Sequence, residues 1–369
     1  MMKICFITGA RSEYGVMKPL IQELVNDSRF DVSIVATGMH FLHKFGYTID
    51  EIKKDSLAPI IQAPCYTENE QSKKDDFVNL INAIYPVFNN YTPDIVYIIG
   101  DRLEAYAASL VAHFKHIPIA HYAGGQITKG AVDNIYRYNI SNLASIHFVT
   151  NKYAVDRLKK CPVVDSQKVH LVGSTAIDAI YKYLKYPQEA SVIDNRLRRD
   201  NYVLMTFHSE TNRQYQGCSI AEMMETAIKY IIDKRVYILI TYPNNDYGSE
   251  NVIDVIHKWE KNQFVVVCRN LGADNYYIAV DNSKFVIGNS SSAIIEVPYF
   301  KKYSLDIGER QKGRNAPKSV IHIPNNKNLL ITQLEKIWFS FKEPSGNECI
   351  YGDGNSVNTI KEILLNEIS

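Results

Sequence analysis

Short segments carrying residue types suited to gripping an anion recur along the chain, each just after an apolar run. Gly9-Ala10-Arg11-Ser12-Glu13-Tyr14-Gly15 is the first. Gly9 permits a tight turn there, and Arg11 sets a fixed cation beside the start of a helix, a combination that suits phosphate. The segment is neither G-x-G-x-x-G nor a Walker loop, which weakens dinucleotide and P-loop readings. Thr37-Gly38-Met39-His40 and Gly100-Asp101-Arg102 follow later runs. Asp101 and Arg102 together can act as a base and an anion ligand. Asp101 can equally be a helix N-cap with a solvated neighbour. In His121-Tyr122-Ala123-Gly124-Gly125-Gln126 the paired glycines mark either close approach of backbone to a ligand or a simple turn. Asp133 and Arg137, four apart, share one helix face, as a functional pair or as a surface ion pair.

The second half repeats the arrangement. His208, in Thr206-Phe207-His208-Ser209-Glu210, can donate to a phosphate oxygen or act as acid or base, against the commoner structural histidine. Asn244 sits in the loop Tyr242-Pro243-Asn244-Asn245-Asp246. Gly288-Asn289-Ser290-Ser291-Ser292 offers backbone N–H groups, hydroxyls and the positive end of a helix to an anion, where a plain cap needs one serine. Glu296, one turn further in, can accept hydrogen bonds from a ribose diol. Ile307-Gly308-Glu309-Arg310-Gln311-Lys312-Gly313-Arg314 adds three cations on a glycine-punctuated loop, or else a solvated charge run.

The elements that must position these groups follow from hydrophobic patterning. The chain has 369 residues, 46% hydrophobic and 22% charged, with a formal net charge of +1. That composition excludes general disorder, and the length suggests about two domains. Near-neutral charge argues against a nucleic-acid partner. No apolar run approaches the roughly 18 residues of a membrane span. The N-terminal run is too short for a signal peptide, so a cytoplasmic protein is expected. The six cysteines, at 5, 65, 161, 218, 268 and 349, form no C-x-x-C pair and read as buried reduced thiols. Strands are expected at 3–7, 31–36, 58–63, 94–99, 117–120, 146–149, 202–207, 236–241, 264–268 and 284–287. Helices are expected between them, one of them kinked by Pro86. Such alternation means an α/β protein with parallel, doubly wound sheets. The expected division is 1–178 and 179–354, two domains facing across a cleft, with a helix within 355–369 packing back on the first. Ligands of such sheets sit beyond the carboxyl ends of strands, where every segment above falls.

The segments at 9–15, 37–40, 100–102, 288–292 and 308–314, in this order, resemble the hydrolysing UDP-N-acetylglucosamine 2-epimerases of sialic and legionaminic acid synthesis. The resemblance runs from residue 3 to about residue 320. It implies a GT-B-like pair of Rossmann-like domains, a nucleotide-sugar substrate, no metal, no nicotinamide cofactor, and a homodimer or homotetramer. It places Arg11, Arg102, His208 and Arg310 on the diphosphate, with Ser290 and Ser291 binding phosphate. Glu296 would hold the ribose, Asn244 would lie beside the nucleotide, and Asp101 and Asp133 would handle protons at the sugar. His40, Gln126, Arg137 and Arg314 are further expected substrate contacts, and His208 a catalytic one. The chain departs from the family at the sugar end, with Ala123 and with Gln126, Asn134 and Tyr138 where Glu, Asp and His are usual. A glutamine cannot exchange a proton at neutral pH. The resemblance implies removal of the C2 proton, loss of the nucleoside diphosphate and hydration of the resulting glycal. A glycosyltransferase and a catalytically silent nucleotide-sugar binder are the rival expectations.

Overall fold

The computed structural model describes residues 1–67, 75–128, 133–210, 217–244, 248–339, 344 and 349–367. Asn245 and Asp246 of the loop quoted above lie outside them. The chain forms two compact units. One comprises Met1–Gln126, Asp133–Ala179 and the C-terminal segment from Tyr351; the other is built on Ile180–Ile350.

The first unit is assembled on β1 (Met2–Thr8), β2 (Phe30–Thr37), β3 (Ile60–Ala63), β4 (Ile95–Ile99), β5 (Ile119–Tyr122), β6 (Ile146–Val149) and β7 (Val169–Leu171). They form one parallel seven-stranded sheet in the order β3-β2-β1-β4-β5-β6-β7. Strand residues alternate between two covered faces. Ile4 and Phe6 join the cluster holding Met17, Leu20 and Ile21 of the helix Arg11–Val25. Cys5 and Ile7 face the opposite cluster, with Leu80, Ile84, Ala108 and Val111. A strand covered on both sides must be apolar at consecutive positions, which is why β1 and β4 read as continuous runs. Each such buried aliphatic side chain contributes about 1.5–3 kcal/mol.

The second unit repeats the plan with β8 (Tyr202–Thr206), β9 (Tyr237–Thr241), β10 (Val265–Cys268), β11 (Val286–Gly288), β12 (Ser304–Ile307) and β13 (Val320–Ile323). Its order is β10-β9-β8-β11-β12-β13, again parallel. Numbered within each unit, the first sheet runs 3-2-1-4-5-6-7 and the second 3-2-1-4-5-6, the doubly wound order whose direction of progression reverses between the first and fourth strands.

The C-terminal helix Ser356–Glu367 belongs to the first unit, where Val357, Ile360 and Leu364 enter the cluster around Phe6. Its start is held by Asp178, whose carboxylate accepts the N–H groups of Ser356 (3.1 Å) and Val357 (2.7 Å). Lys361 pairs with Glu23 and Lys168 with Glu367.

Three strands escaped the sequence reading. β7, β12 and β13 are three or four residues long and carry His170, Ser304 and Asp306, and His322, so their apolar signal is broken. Pro86 ends one helix, Asp76–Ile84, and precedes another, Val87–Asn90, as proline chemistry requires. Among the cysteines only Cys5 is fully buried, and Cys349 is exposed, which corrects the expectation of buried thiols throughout. Among the described residues no helix is long and apolar enough to cross a membrane.

Candidate functional site

In each sheet the polar segments gather at the reversal point. Gly9–Ala10 leaves β1 and Gly100-Asp101-Arg102 leaves its neighbour β4. His208 leaves β8 and Asn289-Ser290 leaves its neighbour β11. Neighbouring parallel strands that send their crossovers in opposite directions leave a crevice beyond their carboxyl ends.

At the first reversal point Arg102 meets a carboxylate and a thioether. Its Nη2 donates to Glu104 Oε1 at 3.2 Å and to Met39 Sδ at 3.1 Å. Glu104 is buried and wedged against two glycines. A Cβ on Gly9 would lie 2.6 Å from Glu104 Cβ, and one on Gly38, which has φ +58, would lie 2.8 Å from Glu104 Cγ. Glu13, on the first turn of the helix Arg11–Val25, turns back so that Oε2 accepts the N–H groups of Gly9 (2.7 Å) and Ala10 (3.1 Å). Burial pushes the Glu13 carboxyl up to about 7, against the pull of Arg102 and with the push of Glu104. The expectation for this loop is thereby corrected in two respects. Gly9 is needed for the close approach of Glu104 rather than for its turn, and two N–H groups that could have faced phosphate are taken by Glu13. Arg11 is the first residue of the helix and half-buried.

His40 does not have the exposure that direct ligand contact needs. It is completely buried, its Nε2 meets Thr8 Oγ1 at 2.9 Å and its Nδ1 meets Thr48 Oγ1 at 2.8 Å. Burial, with the Arg102 charge nearby, pushes the ring down to about 3, so it is a neutral brace between β1 and the segment at 48. His121 is a second brace that the sequence reading passed over. Its Nε2–H donates to the Gly100 carbonyl at 2.8 Å and its Nδ1 accepts from Ser141 at 3.0 Å. Burial lowers this ring to about 3 as well. It fixes the turn, with Gly100 at φ +69, that presents Asp101.

Asp101 forms an ion pair with Arg137, and Arg137 is buried. The same guanidinium donates to the Gln126 carbonyl and to Asn134 Oδ1, both at 2.8 Å. Arg137 thus joins the turn after β4, the loop after β5 and its own helix, Asp133–Leu143. Gln126 is buried, with its amide donating to Thr150 Oγ1 at 2.8 Å. Asp133 opens that helix. Arg137 and Gln126 are therefore both held by protein groups.

At the second reversal point Asn289 organises the site, a role that sequence reasoning missed. Its buried side chain accepts from the His208 N–H (2.7 Å) and donates to the His208 carbonyl (2.9 Å). Its own carbonyl accepts from Arg310 Nη1 (3.2 Å) and Gln311 Nε2 (3.0 Å). Gly288 before it has no alternative, since a Cβ there would sit 1.8 Å from the Thr206 oxygen on β8. Asn244 reaches His208 through backbone: its N–H donates to His208 Nδ1 at 3.0 Å. A neutral ring that accepts at Nδ1 carries its proton on Nε2, a donor suited to a phosphate oxygen.

The serines are corrected in one respect. The helix they introduce, Ser292–Ile295, is a single turn followed by a second short helical turn, Val297–Phe300, so the expected dipole is small. Their hydroxyls form a chain, Ser292 with Ser290 at 3.1 Å and Tyr276 with Ser292. Glu296 lies one turn on, where burial pushes its carboxyl up to about 7. Arg314 lies further along the 308–314 loop, near Asp306, whose carboxyl burial pushes up against the pull of His322, Arg314 and Arg310. Glu13 and Glu210 were legible only as members of the quoted segments, and Glu104, two residues beyond Gly100-Asp101-Arg102, was missed. A charged residue that close to an arginine or histidine at a strand end was the available signal.

Comparison with known proteins agrees with this fold. The UDP-N-acetylglucosamine 2-epimerase family model matches residues 22–365. The chain is 30% identical over 325 residues to the UDP-N-acetylglucosamine 2-epimerase of Neisseria meningitidis serogroup B, covering 87% of this chain and 84% of that protein. It is 28% identical over 367 residues to the UDP-N,N'-diacetylbacillosamine 2-epimerase (hydrolyzing) of Legionella pneumophila, covering 98% and 95%. The crystal structure of a Neisseria meningitidis UDP-GlcNAc 2-epimerase bound to UDP-GlcNAc shares the fold, with a TM-score of 0.82 at 20% identity over 99% of this chain and 100% of that one. Two sheets of one winding order, the residues gathered at their reversal points and a family match over most of the length lead to one conclusion: the chain belongs to the UDP-N-acetylglucosamine 2-epimerase family.

Proposed function

We propose that the protein is a hydrolysing 2-epimerase. It would convert UDP-N-acetylglucosamine, or a related UDP- or GDP-linked 2-acetamido sugar, and water into the free C2-inverted sugar and the nucleoside diphosphate. The observation that carries this reading is the turn after β4, where Asp101 is ion-paired to buried Arg137 and is followed directly by Arg102. A base and an anion ligand one residue apart suit a reaction that breaks C2–H and C1–O together. Asp101 takes the C2 proton, the C–H electrons form the C1=C2 bond, and the diphosphate oxygen leaves with the C1–O pair. Water then supplies hydroxyl to C1, and C2 regains a proton on the opposite face. Asp133 is the second proton carrier, since Gln126 cannot titrate.

The C2 proton is weakly acidic, so the step depends on stabilising the departing charge. Arg11 and Arg102 of the first unit and His208, Arg310, Ser290 and Ser291 of the second supply that in this reading. Glu296 takes the ribose, and Asn244 holds the His208 ring. The hydrolyzing 2-epimerase of Legionella pneumophila, similar over 98% of this chain, supports the hydrolytic form.

Incubation with UDP-N-acetylglucosamine in deuterated water tests the proposal. Release of UDP together with a free sugar deuterated at C2 is expected. Deuterium in a UDP-linked epimer without UDP release would mean a non-hydrolysing epimerase. UDP release only on addition of an acceptor would mean glycosyl transfer, and tight UDP binding with no turnover of a panel of nucleotide sugars would mean a silent binder.

A further inference from the structure

We infer that Glu210 is a positioning residue for the nucleotide grip, setting where Arg310 stands by holding the backbone of its loop. This rests on the proposed role of Arg310 at the diphosphate. Glu210 Oε1 accepts the N–H groups of Glu309 (2.5 Å) and Arg310 (3.2 Å), and Oε2 accepts from Asn325 Nδ2 (2.7 Å). The loop is folded down onto that carboxylate. Gly308, at φ +85, leaves no room for a side chain, since a Cβ there would lie 2.2 Å from Glu210 Oε1 and 2.8 Å from Asn325 Oδ1.

The contacts close a ring. Glu210 lies two residues after His208, whose backbone is clasped by the Asn289 side chain. The Asn289 carbonyl accepts from Arg310 Nη1, and the Arg310 N–H returns to Glu210. One short segment therefore fixes both expected diphosphate ligands of this unit, His208 by its backbone and Arg310 by its loop. An ionised carboxylate suits the task because two N–H groups converge on one oxygen, and charge-assisted hydrogen bonds are shorter and stronger than neutral ones. It stays in contact with the backbone of Arg310, while the guanidinium is held elsewhere by Asn289. Glu210 thus orders the arginine's loop through its backbone.

UDP binding by titration calorimetry on the full chain tests this, with Glu210→Ala, Glu210→Gln, Arg310→Ala and the double variant Glu210→Ala/Arg310→Ala. Misplacing a contact group is worth about tenfold or more, so E210A should weaken UDP about tenfold. E210Q, which keeps a carbonyl acceptor for the two N–H groups, should stay within about threefold of the native protein. In the R310A background E210A should add little, because the two changes remove one interaction. Should E210A fail to fold, Glu210→Asp, with its carboxylate withdrawn by one methylene, takes its place in the same comparison. An E210A protein that melts earlier yet binds UDP as the native one does would reduce Glu210 to a purely structural role and overturn the inference alone. An undiminished E210A effect in the R310A background would do the same. A native protein that fails to bind UDP would overturn the proposed function and this inference with it.

Discussion

Glu13→Gln should make the protein more stable at alkaline pH and leave it unchanged in acid. The Glu13 carboxyl is buried, accepts two backbone N–H groups on Oε2 and has no hydrogen-bond partner on Oε1 among the described residues. Burial and the neighbouring Glu104 raise it from 4.5 to about 7. A carboxyl whose folded value lies above its unfolded one contributes stability that is complete below pH 4.5 and is lost as pH rises through 7. At about 1.4 kcal/mol per pH unit, the loss over that window is on the order of 3 kcal/mol. Glutamine keeps the accepting oxygen for Gly9 and Ala10 and never ionises. Denaturant unfolding of the native and E13Q proteins from pH 4.5 to 8.5, read on the transition of the first unit, should give curves that coincide in acid and separate toward that value above pH 7. A stability difference that is the same at every pH would show that Glu13 titrates alike folded and unfolded, and would refute the reasoning.

Other outcomes follow from single contacts. Gly288→Ala forces a Cβ to 1.8 Å from the Thr206 oxygen, so it should cost more than about 3 kcal/mol in a melt or abolish soluble expression. Asp178→Ala removes the carboxylate that caps the C-terminal helix; the loss should be about 1–2 kcal/mol, with amide exchange accelerating first within Ser356–Glu367. Asp101→Asn should lower kcat on the deuterium-labelled reaction by about a hundredfold or more while UDP affinity is kept; full activity would move the base to Asp133.

Much of the fold was legible because a strand covered on both faces writes itself as an apolar run. β1, β2, β4, β8 and β9 show this, whereas β7, β12 and β13 are too short and too interrupted by polar residues to do so. The functional segments were legible because they punctuate those runs with glycine, serine and charge. What local sequence could not supply was the partner of each polar group. His40, His121 and His208 look alike in the chain, each closing or following an apolar run. Only packing shows that His40 is held at both ring nitrogens by Thr8 and Thr48, that His121 is held by Gly100 and Ser141, and that the His208 Nδ1 accepts the Asn244 N–H.

The carboxylates teach the same lesson. Residues 9, 38 and 104 are far apart in the chain, yet β1 and β4 are neighbours only because the winding order reverses between them. That crossover seats Glu104 between two glycines and against Arg102. Asn289 and Glu210 likewise became the frame of the second unit through the pairing of β8 with β11 and the folding of the 308–314 loop. Residue type and spacing determined which chemistry was available and at which strand ends. Tertiary structure alone decided which partner fixes each of those groups, because burial and pairing are set by segments that meet only after the sheets have formed.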